Sequence, residues 1–405
     1  MTNEGRTESY LVLGGTGFVG SHILKALAAS SSTKIASYSR SLPPAKKDEE
    51  KLVQIMVEDG TIEDEVANAW VGGHWFADWL TFCRHKQPSY STLFLPPHND
   101  DESAYYAVNV LGTQAVINAC LRASAFTSDV SSSGAERGCV RALVYTSSSG
   151  VVWNGKDISG ATEDEVEIPE VGLEAYSATK GIGEKASTPC VRRAGSTNDS
   201  ERVQVLAANG EKLKTAALRP HAIIGPGDNQ AIWRLVENYT SGQYHFQIGS
   251  GTNLFSTISV TDVARAHLLA AAALLRDSTS AAVGGQAFFI TDGVPVPFYT
   301  YPRLVWRELG ASDDFWIVKL PRWLCLGLAF FVERWRGLVG GHTILTEFVV
   351  KTVTMEQWYR CDKAERLLGY KPTVTLEQAV RETVQWWKEE GAQEHAAQSQ
   401  SKKLR

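Results

Sequence analysis

The run Tyr176-Ser-Ala-Thr-Lys180 sets a phenol and an ammonium four residues apart. On a helix, positions i and i+4 share a face, which lets the Lys180 charge sit beneath the Tyr176 ring. A neighbouring cation favours the phenolate and lowers a pKa that is otherwise about 10. A tyrosine in that state can accept the proton of an alcohol near neutral pH. Any helix can carry such a pair, so its meaning depends on its partners. The first is Gly14-Gly-Thr-Gly-Phe-Val-Gly20, a G-x-x-G-x-x-G turn between an apolar run and a helical one. Glycines at 14, 17 and 20 permit a tight turn and close approach of a pyrophosphate, with helix amides as donors. Gly14, Thr16, Gly17, Phe18, Val19 and Gly20 are therefore expected to lie against a dinucleotide. The second partner is Ser147-Ser-Ser149, which follows the apolar run Val-Tyr-Thr146. A serine hydroxyl there can donate to a substrate oxygen during hydride transfer.

The cofactor's identity is read at the end of the second strand. A carboxylate there suits the ribose diol of NAD, and a basic residue suits the extra phosphate of NADP. This chain has Tyr38-Ser-Arg-Ser41 and no acid. Arg40 with two flanking hydroxyls favours NADP over NAD, although a solvated surface arginine reads the same way. Asp59 ends the third strand, either as an acceptor for the adenine amino group or as a simple turn residue. Leu218-Arg-Pro220 and Gly225-Pro-Gly-Asp228 are expected to shape the cleft.

These residues need a scaffold. Apolar strands are expected at 9–13, 35–39, 52–57, 91–95 and 142–146, and helices at 21–29 and 105–121. Alternating strands and helices predict an α/β fold, a Rossmann-type doubly wound parallel sheet. Ligands of such sheets bind at the carboxyl ends of the strands, where these turns fall. A Rossmann domain is expected over 1–225, with Ser/Gly-rich or charged insertions near 127–138 and 187–202. A smaller C-terminal substrate lobe should span 226–390, and 391–405 reads as a disordered tail.

A chain of 405 residues with 43% apolar content supports a large core, and a net charge of −5 gives no reason to expect nucleic acid. Cysteines 83, 120, 139, 190, 325 and 361 are scattered without metal-ligand spacing. They read as free thiols in a reducing compartment, and no metal is expected. Residues 1–10 are polar and acidic, unlike a secretory signal. No apolar run reaches the 18 or so residues of a membrane span. The longest, Leu320-Pro-Arg-Trp-Leu-Cys-Leu-Gly-Leu-Ala-Phe-Phe-Val332, precedes Arg334-Trp-Arg336. Tryptophan and arginine bordering an apolar core suit either an interfacial helix or a buried wall of the second lobe.

The motif set resembles the extended short-chain dehydrogenase/reductase superfamily over roughly residues 10–385. The carriers are GGTGFVG at 14–20, VNVLGT at 108–113, VYTSSSGVVWNG at 144–155, YSATK at 176–180 and LRPHAIIGPGD at 218–228. Within it the chain looks like the 3β-hydroxysteroid dehydrogenase branch, nearest the fungal-type sterol-4α-carboxylate 3-dehydrogenase (decarboxylating) group. Phe246-Gln-Ile-Gly249, Asn253-Leu-Phe255 and Val260-Thr-Asp-Val-Ala-Arg-Ala-His267 fit that group too. The resemblance implies Tyr176 as catalytic base, Lys180 as its activator and ribose ligand, Ser148 as third member and Asn109 as organiser of the catalytic helix. Thr146, Pro96 and Pro220 join the residues expected along the cofactor. Ser149 replaces a small residue usual in relatives.

Two departures stand out. The fourth-strand turn reads Leu93-Phe-Leu-Pro-Pro-His98, with bulky residues where relatives have small ones, and the second strand lacks its usual acid. The implied reaction oxidises a 3β-hydroxyl on a 4α-carboxysterol and releases carbon dioxide. The resemblance also implies a sterol-like substrate and peripheral attachment to the cytosolic face of the endoplasmic reticulum membrane, a cytoplasmic site being the alternative. A homodimer or a sterol C4-demethylation complex is the implied assembly. Aromatic residues expected in the second lobe (Phe288, Phe289, Phe298, Trp306, Trp316) argue against a nucleotide sugar. Two other readings stay open: an NADP-dependent reductase or dehydrogenase of another hydrophobic molecule, and a catalytically impaired NADP-binding protein.

Overall fold

Val12, Leu13, Val144 and Leu218 are almost wholly buried, as befits parallel strands covered on both faces. The computed structural model describes residues 8–29, 33–38, 52–55, 76–79, 102–125, 140–187, 213–228, 230–312, 314–339 and 345–403. The strands are β1 (Glu8–Leu13), β2 (Thr33–Tyr38), β3 (Leu52–Ile55), β4 (Phe76–Trp79), β5 (Ala142–Thr146), β6 (Ile158–Ala161), β7 (Lys214–Pro220) and β8 (Ile223–Ile224). There follow β9 (Phe246–Ile248), β10 (Leu254–Phe255), β11 (Ile258–Ser259), β12 (Gln286–Ile290), β13 (Val296–Pro297), β14 (Val318–Leu320) and β15 (Gln357–Tyr359). Seven of these form one sheet in the order β12-β7-β5-β4-β1-β2-β3, with every neighbouring pair parallel. The sequence therefore folds as the expected doubly wound sheet, with its switch point between β1 and β4.

Helices α1 (Phe18–Ala28), α2 (Glu102–Tyr106), α3 (Thr113–Ala125), α4 (Ala175–Ser187), α5 (Ile232–Thr240) and α6 (Val260–Leu275) come first in the chain. They are followed by α7 (Asp277–Val283), α8 (Thr300–Glu308), α9 (Arg322–Val339), α10 (Glu347–Thr354), α11 (Asp362–Leu368), α12 (Leu376–Trp386) and α13 (Ala392–Lys403). Val12, Val144 and Leu218 pack with Ile23 and Leu27 of α1 and Val263, Ala270 and Leu274 of α6. Side chains alternate across a strand, so Tyr145 faces the opposite layer, where Lys180 of α4 lies over its ring.

The structure revises several sequence expectations. Residues 91–95 lie outside the described residues, and the place between β1 and β5 is held by β4, with Tyr10 opposite Phe76 and Leu13 opposite Trp79. Both runs are short and mix apolar with polar residues, and local pattern cannot say which one pairs. The division at 225 is not linear either. β12 completes the main sheet beside β7, and α6 packs on α1 in its core. Conversely, β6 joins the second lobe's sheet, ordered β13-β10-β15-β6. That lobe is centred on Ile232, Leu235, Phe255, Phe298, Tyr301, Val305, Trp306, Val353 and Val380.

Phe288 and Phe289 thus belong to the main sheet, Phe298 and Trp306 are second-lobe core, and Trp316 is exposed. From Ala392 to Lys403 the chain is helical where a disordered tail is expected over 391–405. Ala, Gln and Lys are good helix formers, and the His395 ring packs edge-on against Trp233 at 4.9 Å.

Candidate active site

The glycine turn leaves β1 and enters α1 as expected. Gly17 N donates to Gly14 O at 2.8 Å, and Gly17 caps α1 without a side-chain hydrogen bond to the first-turn amides. A Cβ on Gly20 would lie 2.2 Å from Gly14 O, so only glycine lets the helix start this close to the strand end. Uncapped amides beside a bare backbone surface fit a pyrophosphate, and on that ground the turn fits a dinucleotide. Gly20→Ala should cost about 1–3 kcal/mol through overpacking and weaken NAD(P) binding, read by denaturant unfolding and a binding isotherm. Arg40, Asp59, Pro96 and the 93–98 turn lie outside the described residues.

Around Tyr176 the contacts are dense. Tyr176, Lys180 and Glu184 lie along the buried face of α4, the i, i+4, i+8 row that helix geometry requires. Tyr176 meets the Tyr105 ring edge-on, with centroids 5.9 Å apart. Lys180 is 1% exposed. Its Nζ donates to Thr146 O at 2.7 Å and sits 4.9 Å from the centre of the Tyr145 ring. The lysine therefore ties the helix to the carboxyl end of β5. Burial pushes the Tyr145 phenol well above its ordinary value, so it stays neutral there.

Asn109 lies in a stretch of wide, π-type turns, Ala107–Gly112, between α2 and α3. Such bulges recur at functional sites, and the smooth periodicity of 105–121 did not reveal this one. Asn109 Nδ2 donates to Thr179 Oγ1 at 3.0 Å. That hydroxyl lies 2.7 Å from Ala175 O and 3.1 Å from Tyr176 O, the acceptors for its own proton. Asn109 is thus tethered to the turn that carries Tyr176. The approach depends on Gly183, where a Cβ would meet Asn109 O at 2.3 Å.

The three serines have different partners. Ser147 Oγ donates to Glu184 Oε2 at 2.5 Å, and Ser149 Oγ pairs with His221 Nδ1 at 2.5 Å. Ser148 is half-buried, and its Oγ accepts from Gly150 N at 3.2 Å. No acceptor for its own proton lies among the described residues. Of the three, Ser148 retains a hydroxyl to donate. Burial lowers His221 to about 3, so it is neutral, packed between Phe255 and Tyr359.

Thr146 Oγ1 lies 2.7 Å from His267 Nε2, while His267 Nδ1 lies 2.8 Å from Val263 O. A carbonyl only accepts, so Nδ1 carries the proton and Thr146 donates to Nε2. Pro220 ends β7 next to β5. Two residues on, Ala222 has φ 47°, a left-handed conformation that costs about 1–3 kcal/mol for a non-glycine residue. Asp228 of the Gly-Pro-Gly-Asp turn accepts from Gln230 N and Ala231 N, so its carboxyl caps the entry to α5.

Sequence reasoning passed over Glu184. Its carboxylate accepts from Arg219 Nε at 3.0 Å and from Arg219 Nη2 at 2.6 Å, and both side chains are buried. This pair joins α4 to β7, and Ser147 joins it to β5. Following the four-residue row two steps beyond Tyr176 would have found it.

A glycine turn after β1 and a Tyr-x-x-x-Lys helix tied to β5 define an extended short-chain dehydrogenase/reductase. The chain belongs to the 3-beta hydroxysteroid dehydrogenase/isomerase family, whose model matches residues 11–322. It is 37% identical over 298 residues to the Saccharomyces cerevisiae sterol-4-alpha-carboxylate 3-dehydrogenase, decarboxylating, covering 73% of this chain and 75% of that protein. The Mus musculus protein of the same name is 33% identical over 296 residues, covering 72% of this chain and 71% of its own. Among solved structures, the UDP-glucuronic acid 4-epimerase of Bacillus cereus in complex with NAD shares the fold at TM-score 0.61 and 16% identity, covering 94% of this chain and 99% of that one.

Proposed function

We propose that this protein is an NAD(P)-dependent sterol-4α-carboxylate 3-dehydrogenase (decarboxylating) of sterol biosynthesis, in which Tyr176, Lys180, Ser148 and Asn109 do the proton handling. The reading rests most on one observation: Lys180, one helical turn from Tyr176, is bonded to Thr146 O at the strand end that leads to Ser148. The relatives above carry the name of this activity. They lend no support to a reductase of another hydrophobic molecule or to an inactive cofactor-binding protein.

Gly14, Thr16, Gly17, Phe18, Val19 and Gly20 would hold the pyrophosphate half of the dinucleotide, and Thr146, Pro220, Tyr176 and Lys180 its nicotinamide half. A nicotinamide held there would supply the acceptor for the hydride leaving C3. Tyr176, as phenolate beside the Lys180 charge, takes the proton of the 3β-hydroxyl. The product is a 3-ketone with a carboxylate on C4, a β-keto acid. As its C4–carboxyl bond breaks, carbon dioxide leaves and the electron pair passes to the ketone oxygen. Tyr176, now protonated, and Ser148 donate to that enolate oxygen. Proton return to C4 completes the 3-ketosteroid. Asn109 holds the first turn of α4 through Thr179 and so positions Tyr176.

The test gives purified protein a 4α-carboxysterol with NADP or NAD and follows reduced cofactor and carbon dioxide together. Equal amounts of the two are expected. Cofactor reduction without carbon dioxide would leave a plain hydroxysteroid dehydrogenase, and no turnover on any sterol would overturn the assignment.

NADP is the cofactor of choice in this reading, supported by Arg40 between Ser39 and Ser41 and by the missing acid. A charge-assisted contact contributes about 1.5–3 kcal/mol, so Arg40→Ala should weaken NADP by about ten- to a hundredfold and leave NAD unchanged. Equal weakening of both would exclude the phosphate role. The family resemblance supports work at the cytosolic face of the endoplasmic reticulum membrane through 320–336, by a peripheral attachment. It equally supports a homodimer or a sterol C4-demethylation complex as the assembly, which sedimentation with and without membrane extract separates.

A further inference from the structure

His221 is buried just past the carboxyl end of β7, and its two ring nitrogens differ. Nδ1 lies 2.5 Å from Ser149 Oγ, while Nε2 meets no hydrogen-bond partner among the described residues. An imidazolium would leave that second N–H buried without an acceptor, so the ring is neutral and its one polar contact is with the residue beside Ser148. Ser149 is 1% exposed, and solvent therefore cannot take the place of the imidazole.

Aromatic neighbours hold the ring. Its centroid lies 4.4 Å from that of Phe255 and 5.1 Å from that of Tyr359. Phe255 is second-lobe core, edge-on to Phe298 at 5.0 Å. Tyr359 stacks on Phe289 of β12, with centroids 4.5 Å apart. Directly after His221, Ala222 turns left-handed and the chain passes from β7 to β8. His221 is thus wedged where the main sheet meets the second lobe, and close packing leaves Nδ1 little freedom to move off Ser149.

The other fixings of the serine turn come from elsewhere. Ser147 Oγ donates to Glu184 on α4. A Cβ on Gly150 would lie 3.1 Å from Ser177 Oγ, so the turn already abuts the helix that carries Tyr176. We infer that His221 is a positioning residue for the reaction: through Ser149 it fixes the turn that presents the Ser148 hydroxyl, and it does so from a ring seated against the lobe expected to hold the sterol. This rests on the function proposed above. The substrate oxygen must meet Tyr176 and Ser148 together, and a displacement of about 1 Å in such a group costs about a hundredfold in rate. His221 itself touches neither substrate nor cofactor in this role.

The experiment measures kcat and KM on a 4α-carboxysterol, cofactor affinity and the denaturant midpoint. The variants are His221→Phe, Ser149→Ala, His221→Asn, Ser148→Ala and the double S148A/H221F. Phenylalanine keeps a ring against Phe255 and Tyr359 but cannot bond Ser149. His221→Phe and Ser149→Ala should each lower kcat about tenfold, with KM and cofactor affinity within about twofold of wild type. Asparagine returns a hydrogen-bonding group near the place of Nδ1 but not the ring. His221→Asn should therefore unfold at lower denaturant than His221→Phe and yet turn over faster; a merely structural histidine gives the reverse order of rates. In the Ser148→Ala background His221→Phe should lower kcat no further, because the hydroxyl it positions is gone. A further fall of about tenfold in that background overturns the proposal. Wild-type kcat in His221→Phe beside a slow Ser148→Ala overturns it too and leaves the enzymatic assignment standing. A wild-type protein with no turnover on carboxysterol sinks that assignment and this role with it, so the two failures read differently.

Discussion

Tyr176→Phe is expected to lower turnover by about 10²- to 10⁴-fold, the usual contribution of a positioned general base, and to leave cofactor affinity nearly unchanged. The substitution removes one oxygen and keeps the ring. The edge-on contact with Tyr105 and the buried packing of the side chain therefore survive, and folding should not confuse the result. Two contacts that position the site do not depend on the phenol oxygen. Lys180 keeps its bond to Thr146 O, and Thr179 keeps Asn109. Steady-state rates with titrated cofactor binding make the check. A variant with wild-type turnover would remove Tyr176 from the chemistry.

A Lys180→Met comparison separates the roles of the two residues. Lysine carries the charge and also the tether to β5, so its loss should disturb both cofactor binding and turnover. The Phe variant should disturb turnover alone.

The parts of this site that repeat at a fixed short interval were legible in the sequence. Tyr176 and Lys180 share a face because helices have 3.6 residues per turn, and the glycine turn announces itself between an apolar strand and a helix. What could not be read was non-local. Nothing in the text of 76–79 or 91–95 says which run enters the slot beside β1, since both are short and mix apolar with polar residues. The return of β12 to β7 depends on pairing across 65 or more intervening residues, which no local period encodes. The serines show the limit at its finest. The three are chemically alike, and only the arrival of Glu184 and His221 from other elements decides which one keeps its proton to donate. Phe288 and Phe289 follow the Gly-Pro-Gly-Asp turn, which by sequence order places them in the substrate lobe, yet sequence order there is not spatial order. The apolar run at 320–332 has two compatible readings in the sequence, and nothing local says that Cys325 and Ala329 take the inner side.

Breaking the Glu184–Arg219 pair should have the largest effect on stability. Removing one partner of a buried ion pair costs about 3–5 kcal/mol, because the other charge is left without compensation. Both side chains here are almost fully buried. Glu184→Gln keeps the shape and an acceptor for Ser147, but leaves the Arg219 guanidinium facing a neutral amide. The expected result is a fall in the denaturant midpoint with an unchanged slope. Replacing both groups together, as Glu184→Leu with Arg219→Met, should recover most of the loss, since well-packed apolar side chains of similar volume can stand in for a buried pair.

If the pair served stability alone, the recovered double variant would also recover turnover. The geometry argues otherwise. Glu184 lies eight residues, about 12 Å, along α4 from Tyr176, and its other contacts hold β7 through Arg219 and β5 through Ser147. A leucine cannot accept from Ser147, so the freed hydroxyl sits directly beside Ser148 at the end of β5. The double variant should therefore regain its unfolding midpoint and remain slow, with kcat lowered more than KM is raised. Full recovery of both would show that the pair only supports the fold.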